Sequence, residues 1–392
     1  MSSPEPNAAL QENSVQEFGT PPPEEQSPLV RIPITCKDKL MKYLNFREKM
    51  KLRKVCKDLR THVDTTEFAF HDFHIHIRFH EVHLDSNNGR FEAFYKQIEE
   101  MKFAVSNNIK DGKNDRIFDF DELSNILEND LNIIFANSKR TVHSLTVTVD
   151  VNEEPKEELA LLDHTAVFQC LNEFLSENGR RLKVRTLNIQ FYEYEQVWSI
   201  LLHLEPGTLK SMILEYSYSG CIASLDYFDE VFQTEQWKAM KEFESYSILF
   251  RWEYVKDFAH FDRVDMFQVE QFCVDHVERL TEVLLRNPSL DQFSLNTGSW
   301  RSDPRRPVDV INHRHNVYNY TKPSEPGWIY FPYPESDKKL ALKIDYEWMI
   351  FRGPCYVARA GDDKIIEEDE EDEEEEAGEN NGDNNAEENP PV

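Results

Sequence analysis

The chain has 392 residues and a formal net charge of -29 at pH 7, and 40% of its residues are apolar and 12% aromatic, enough to bury a sizeable core with a small appendage. Six cysteines stand far apart with no CxxC pair, which argues against a disulfide framework or zinc site and for a reducing, intracellular setting, cytoplasmic and/or nuclear. No signal pattern opens the chain, no apolar run nears the roughly 20 residues that span a bilayer, and 12 glycines without a Walker A, GxGxxG or GxSxG pattern leave little material for a phosphate-cradling loop.

Residues 1–28 are dominated by Pro, Glu, Gln and Ser and are expected to be a disordered leader, with too few apolar side chains to offset ordering entropy. Residues 29–66 form the next unit. Thr35 with Asp38, and Asn45 with Glu48, have the spacing of helix-starting caps, and Leu52, Cys56, Leu59 and Val63 recur as one strip on a second helix. Residues 31–60 hold eleven Lys or Arg against three Asp or Glu, a balance of +8 in an acidic chain. Amphipathic basic helices of this kind suit a protein groove, a nucleic acid, or an ordinary helical hairpin; the density of interleaved apolar residues favours the groove.

Ile32, Pro33, Ile34, Cys36, Leu40, Met41, Leu44, Met50, Leu52, Val55, Cys56 and Leu59 together resemble an F-box, with the Pro33-to-Leu44 spacing of that family. The resemblance implies a three-helix hook in which these residues bind an acidic Skp-type adaptor and, through it, a cullin. Two positions depart from the family pattern. Cys36 replaces a larger aliphatic, and the tryptophan common near the third helix is missing around Leu59 and Arg60, changes expected to weaken docking without abolishing it.

Next comes HDFHIHIRFHEVH, with five of the 13 histidines within residues 71–83. Alternation puts Phe73, Ile75, Ile77 and Phe79 on one side of a strand and His74, His76, Arg78 and His80 on the other, an ordinary half-buried strand with a polar side. HEVH is one residue short of HExxH, so no metal and no cofactor are expected. Further on, an apolar triad recurs with two and then one intervening residues: Phe70-Phe73-Ile75, Val142-Leu145-Val147, Val184-Leu187-Ile189, Leu209-Met212-Leu214, Val264-Phe267-Val269 and Leu290-Phe293-Leu295, while Met240-Phe243 begins another with polar Ser245 in third place. Between them Leu123, Ile126, Leu127, Leu131 and Ile134, and later Val277, Leu280 and Leu284, share helix faces. Strand-helix units at such intervals predict an irregular leucine-rich-repeat-like α/β solenoid; an unrelated α/β domain remains the alternative.

QTEQWKAMKEFES at 233–245, the following FAHFDRVDMFQVEQFCVDHVERLTEVLL, and YFPYPESDKKLALKIDYEWMIFR at 330–352 resemble the FTH domain of nematode F-box A proteins, which implies partner recognition over residues 67–357. A long loop at about 298–328, rich in Pro, Arg and aromatics, offers Trp300, Arg301, Arg305, Arg306, Tyr318 and Tyr320 as substrate contacts. Residues 358–392 form an acidic tail expected to be disordered, in which Glu367 to Glu376 are ten consecutive acids and residues 367–392 hold 14 acids and no base. The expected class is α/β, a three-helix F-box followed by the solenoid. The expected role is a non-catalytic substrate-recognition subunit of a Skp-cullin-F-box ubiquitin ligase that binds an unknown protein substrate, with no membrane and no nucleic acid as partner; the alternative is a protein adaptor or scaffold outside a ligase, recruiting a protein or ribonucleoprotein.

Overall fold

The computed structural model describes residues 31–44, 46–64, 71–78, 80–86, 91–99, 102–106, 116–119, 122–135, 141–150, 164–177, 181–217, 223–225, 228–270, 272–297, 327–344, 348–359 and 362. The leader, the run from Glu367 and all six loop candidates, Trp300, Arg301, Arg305, Arg306, Tyr318 and Tyr320, lie outside the described residues. The chain divides into two compact units, Met1–Thr66 and Glu67–Val392.

In the first unit, helices run over Ile34–Tyr43 (α1), Phe46–Arg53 (α2) and Lys57–Asp64 (α3). α1 starts without the expected Thr35 cap. Pro33 is its N-cap with no side-chain bond, and the Pro33 carbonyl itself accepts from the Cys36 and Lys37 N–H groups at 2.9 and 3.0 Å. Asp38, freed from capping, lies 3.3 Å from His62 on α3. Asn45 lies outside the described residues. The continuous second helix expected through Val63 is instead broken after Arg53: Lys54 and Val55 turn back onto the Lys51 and Leu52 carbonyls, and the Cys56 sulfur accepts from the Leu59 N–H at 3.5 Å to head α3. The Cys56 thiol thereby stands in for the Ser, Thr, Asp or Asn oxygen that usually heads a helix.

The second unit is mixed α/β. Its strands are Asp72–Arg78 (β1), Glu81–Ser86 (β2), Phe91–Glu99 (β3), Lys102–Ser106 (β4), Arg116–Asp119 (β5), Val142–Asp150 (β6), Val184–Phe191 (β7), Ser211–Tyr216 (β8), Ala223–Leu225 (β9), Glu242–Arg251 (β10), Arg263–Glu270 (β11), Gln292–Asn296 (β12), Trp328–Pro332 (β13), Lys339–Ile344 (β14) and Trp348–Arg352 (β15). Helices occupy Leu123–Phe135 (α4), His164–Glu177 (α5), Tyr194–Leu202 (α6), Asp229–Gln233 (α7), Glu235–Ala239 (α8) and Val274–Leu284 (α9), with a 3-10 helix over Trp252–Phe258. The described strands make one 15-stranded sheet, ordered β13-β14-β15-β12-β11-β10-β8-β7-β6-β1-β2-β3-β4-β5, with β9 paired to β10. From β1 through β6, β7, β8, β10 and β11 to β12 the pairing is parallel and follows chain order. Antiparallel strands β2–β5 extend one side of this run and β15, β14 and β13 the other.

The triads account for the register. Phe73, Leu145, Leu187, Met212, Phe243, Val264 and Phe293 are partners across successive strands, and so are Ile75, Val147, Ile189, Leu214, Ser245, Met266 and Leu295 two residues on. Both rows are buried. Val264, not Phe267, holds the second place in its unit, so the sixth triad is Phe261-Val264-Met266. FAHFDRVDMFQV satisfies the pattern twice, and only the Phe261 setting aligns with Phe243 and Phe293. Helix residues face these rows: Phe135 of α4 meets Phe73 at 4.9 Å, and Trp237 of α8 and Phe258 meet Phe243 at 5.3 and 5.0 Å. Leu123, Leu127, Leu131 and Ile134 of α4 and Val277, Leu280 and Leu284 of α9 are buried as their spacing predicts. The intervening residues, including Thr186, Asn188, Glu244 and Asp265, form the polar face of the sheet.

Candidate interaction surfaces

The first unit presents apolar side chains among lysines. Ile34 is 68% exposed, Val55 51% and Tyr43 86%. Pro33 and Cys36 are exposed too, beside exposed Lys39, Lys42, Lys54 and Lys57. Ile32, Leu40, Leu44, Met50, Leu52 and Cys56 are half-buried. Met41 and Leu59, expected among the adaptor contacts, are buried and therefore serve packing, not docking. Ile34 and Val55 thus stand as exposed apolar side chains within a basic surface.

On the second unit, β1 alternates as expected, with Phe73, Ile75 and Ile77 buried. The hairpin adds something that spacing along one strand does not contain: His76 pairs in register with His83, and His74 with Asp85. His76, His83 and Asp85 thereby bring one ligand atom each within 4.8 Å of one another. His76 Nδ1 meets Thr148 Oγ1 at 2.7 Å, leaving Nε2 3.3 Å from Asp85, while His83 stacks on Phe94 at 4.1 Å. Burial holds the His83 pKa below the ordinary imidazole value, with His76 and Arg78 adding to the effect. Two neutral imidazoles and a carboxylate are the donor set that can hold a divalent ion, but the Arg78 charge works against one, and the His76–Asp85 contact already satisfies the carboxylate as part of a polar strand face.

Farther along the sheet the polar face turns acidic and aromatic. Tyr192 and Tyr246 are exposed, Tyr192 stacks on Tyr216 with centroids 6.5 Å apart, and Glu215 pairs in register with Tyr246. The α6 capping box sets Tyr192 in place, since the Tyr192 and Glu193 N–H groups both donate to Gln196 Oε1 at 2.9 and 3.2 Å. The Tyr246 hydroxyl donates to Glu244; burial and that bond hold it above the ordinary tyrosine range. Tyr246 with Glu215 and Glu244 makes an acidic, aromatic patch on the polar face suited to a protein partner, whereas Tyr216, and Tyr192 stacked on it, lie with Phe191 at the strand ends. The sequence carried its signal in the residues between and just beyond the triads, which the apolar search passes over.

Asp265 sits beside this patch, paired in register with Glu244. Desolvation, reinforced by Glu244, pushes its carboxyl up to about 7 against an ordinary value of 3.8. The folded chain therefore keeps this proton where the unfolded chain has lost it, so the associated stability is full below about pH 4 and disappears as pH rises through 7. Asp265→Asn, permanently neutral, should lose less stability than wild type between pH 5 and 8 in urea unfolding. Parallel losses in the two proteins would remove Asp265 as the cause.

Residues 165–312, from within α5 to beyond β12, match the FTH domain family, a narrower span than the 67–357 expected. That family is associated with F-box proteins and suggests a protein-interaction role. No curated protein matches this chain in sequence. Among the described residues no helix is long and apolar enough to cross a membrane.

Proposed function

We propose that this chain is the substrate-recognition subunit of a Skp-cullin-F-box ubiquitin ligase, with α1–α3 docking an acidic Skp-type adaptor and the second unit holding a target protein. The observation that carries the reading is the FTH match over 165–312, in a chain that also has a basic three-helix unit with exposed Ile34 and Val55. The parallel strands, ordered as in the chain and repeating one apolar triad, support a leucine-rich-repeat-like platform, and its polar face offers Tyr246, Glu215 and Glu244 to the target. Such a subunit does no chemistry itself. It raises the effective concentration of the target near a ubiquitin-charged enzyme, in the cytoplasm or nucleus.

Cys36, exposed where the family pattern has a larger aliphatic, favours a second reading, a protein adaptor that works outside a ligase. Affinity purification of the full chain separates the two: recovery of a Skp-type adaptor and a cullin is the expected result. Recovery of other proteins without either, under mild low-salt conditions, would sink the ligase reading.

A further inference from the structure

The strands of the parallel run are entered through a corner, the two residues between the first and second apolar positions of each triad. The first corner residues are His71, His143, Arg185, Lys210 and Lys241, and then Asp262 and Asp291. Backbone bonds connect them. His143 N–H donates to His71, Lys210 to Arg185, Lys241 to Lys210, Asp262 to Lys241 and Asp291 to Asp262, at 2.6–2.9 Å, and the β6–β7 register sets His143 opposite Arg185. The edge of the sheet is thus basic over five consecutive strands and acidic at the other end. All five basic residues are exposed. Lys241 lies 3.5 Å from Asp262 and His71 bonds Asp72, but among the described residues Arg185 and Lys210 have no carboxylate partner. Thr141, His143, Arg185, Gly207, Thr208 and Lys210 line a groove of about 530 Å³ there.

The C-terminal segment packs on this same edge. After β15, the Gly353 N–H donates to Asp291 O at 2.8 Å and so continues the corner ladder. The approach is close enough that a Cβ on Gly353 would stand 2.2 Å from Leu290 O. Val357 N–H then donates to Asp291 Oδ1 at 2.9 Å. The Arg359 guanidinium grips both Glu242 carboxylate oxygens on β10, at 2.9 and 3.2 Å, and Asp362 pairs with Arg263 on β11. Arg359 also lies 3.6 Å from Asp291 and the Asp362 N–H donates back to Arg359 O at 3.1 Å, so the segment turns over β10–β12, and Lys210, at the entry of β8, is next to β10 in the sheet.

We propose that the acidic run Glu367–Glu376 of this chain lies along the Lys241–Lys210–Arg185–His143 edge and fills the groove, as an intramolecular cover over its basic surface. Reach permits it: the four residues between Asp362 and Glu367 span up to about 14 Å, and strands about 4.8 Å apart put Lys210 and Arg185 two and three steps from β11, about 10 and 14 Å. Charge matches it: Arg185 and Lys210 are exposed cations without a carboxylate partner among the described residues, and the run supplies ten consecutive acids. The proposal does not depend on the ligase reading.

Zero-length carbodiimide cross-linking of the full chain at 0.1 M salt, with peptide mass spectrometry of the monomer fraction, tests it. Links should join Lys210 and Lys241 to residues 367–376 and fall at least about fivefold at 1 M salt, where screening shortens from about 10 to about 3 Å. A variant combining His143→Glu and Arg185→Glu, both on exposed residues, should lower the Lys210 links by a similar factor with circular dichroism unchanged. The proposal is overturned if the run links instead to the lysines of residues 37–57, or links to Lys210 no more often than to Lys339, an exposed lysine away from the corner.

Discussion

Trp237→Ala should cost about 4 kcal/mol of stability, the range of large-to-small changes at a fully buried aromatic, and lower the melting temperature of the second unit by about 10 °C. Trp237 sits on α8, where Thr234 Oγ1 accepts its backbone N–H at 3.2 Å and so heads the helix. Its ring is 1% exposed. Phe228, Phe232, Phe243, Phe258 and Phe261 surround it with centroids 5.0–5.9 Å away, and its indole N–H donates to the Asp257 carbonyl at 3.3 Å. One side chain therefore joins α7, α8, the 3-10 helix and the apolar row of the sheet. Removing it leaves a cavity lined by rigid rings that cannot collapse into the space. Trp237→Phe should recover more than half of the loss, and thermal unfolding followed by circular dichroism measures both. A shift of under about 3 °C for the alanine variant would mean that the cluster does not hold the unit together.

The second large effect is on association. With Ile34→Asp and Val55→Asp combined, adaptor affinity should fall more than about a hundredfold, roughly 3 kcal/mol, while the melting curve stays unchanged. Both side chains are exposed, so the substitutions disturb no packing, yet at an interface each would bury an unpaired carboxylate against an apolar and acidic partner surface. Met41→Asp is the contrasting control, because Met41 is buried and an unpaired charge there should unfold the first unit. Pull-down of a Skp-type adaptor beside thermal denaturation reads both quantities. Undiminished capture by the double variant would show that this face is not where the adaptor docks.

Period-2 and period-3.6 patterns account for what could be read in advance. Alternation over the described residues of β1, the apolar faces of α4 and α9, and the triads other than the sixth, so far as they lie within the described residues (Phe70 does not), follow directly from which side of an element must leave water. The remainder depended on information that a linear pattern lacks. His76, His83 and Asp85 converge because a hairpin register sets His76 against His83. The break between α2 and α3 turns on a thiol acting as a cap, which no spacing rule singles out. The sixth triad was ambiguous because two overlapping settings satisfied the same rule. Arg263–Asp362 and Arg359–Glu242 join residues far apart in the chain, and neither charge announces its partner locally. In the first unit, spacing along the chain did not separate inward members such as Met41 and Leu59 from exposed ones such as Ile34 and Val55.

The order of the parallel strands also bears on how the chain acquires its structure. Each strand from β6 to β12 pairs with its successor among the long strands of the run, so most of the sheet closes through short intervals and pays a small loop entropy each time. Two joints are different. β1 must wait for Leu145 to reach Phe73 across the whole β2–β5 meander and α4, and β15 must return Phe351 to Phe293 across residues 298–326. Proteins dominated by near-neighbour contacts reach the native state faster than those needing distant ones. The central strands should thus gain protection from hydrogen exchange first during refolding, with the two lateral closures following as the slow phases.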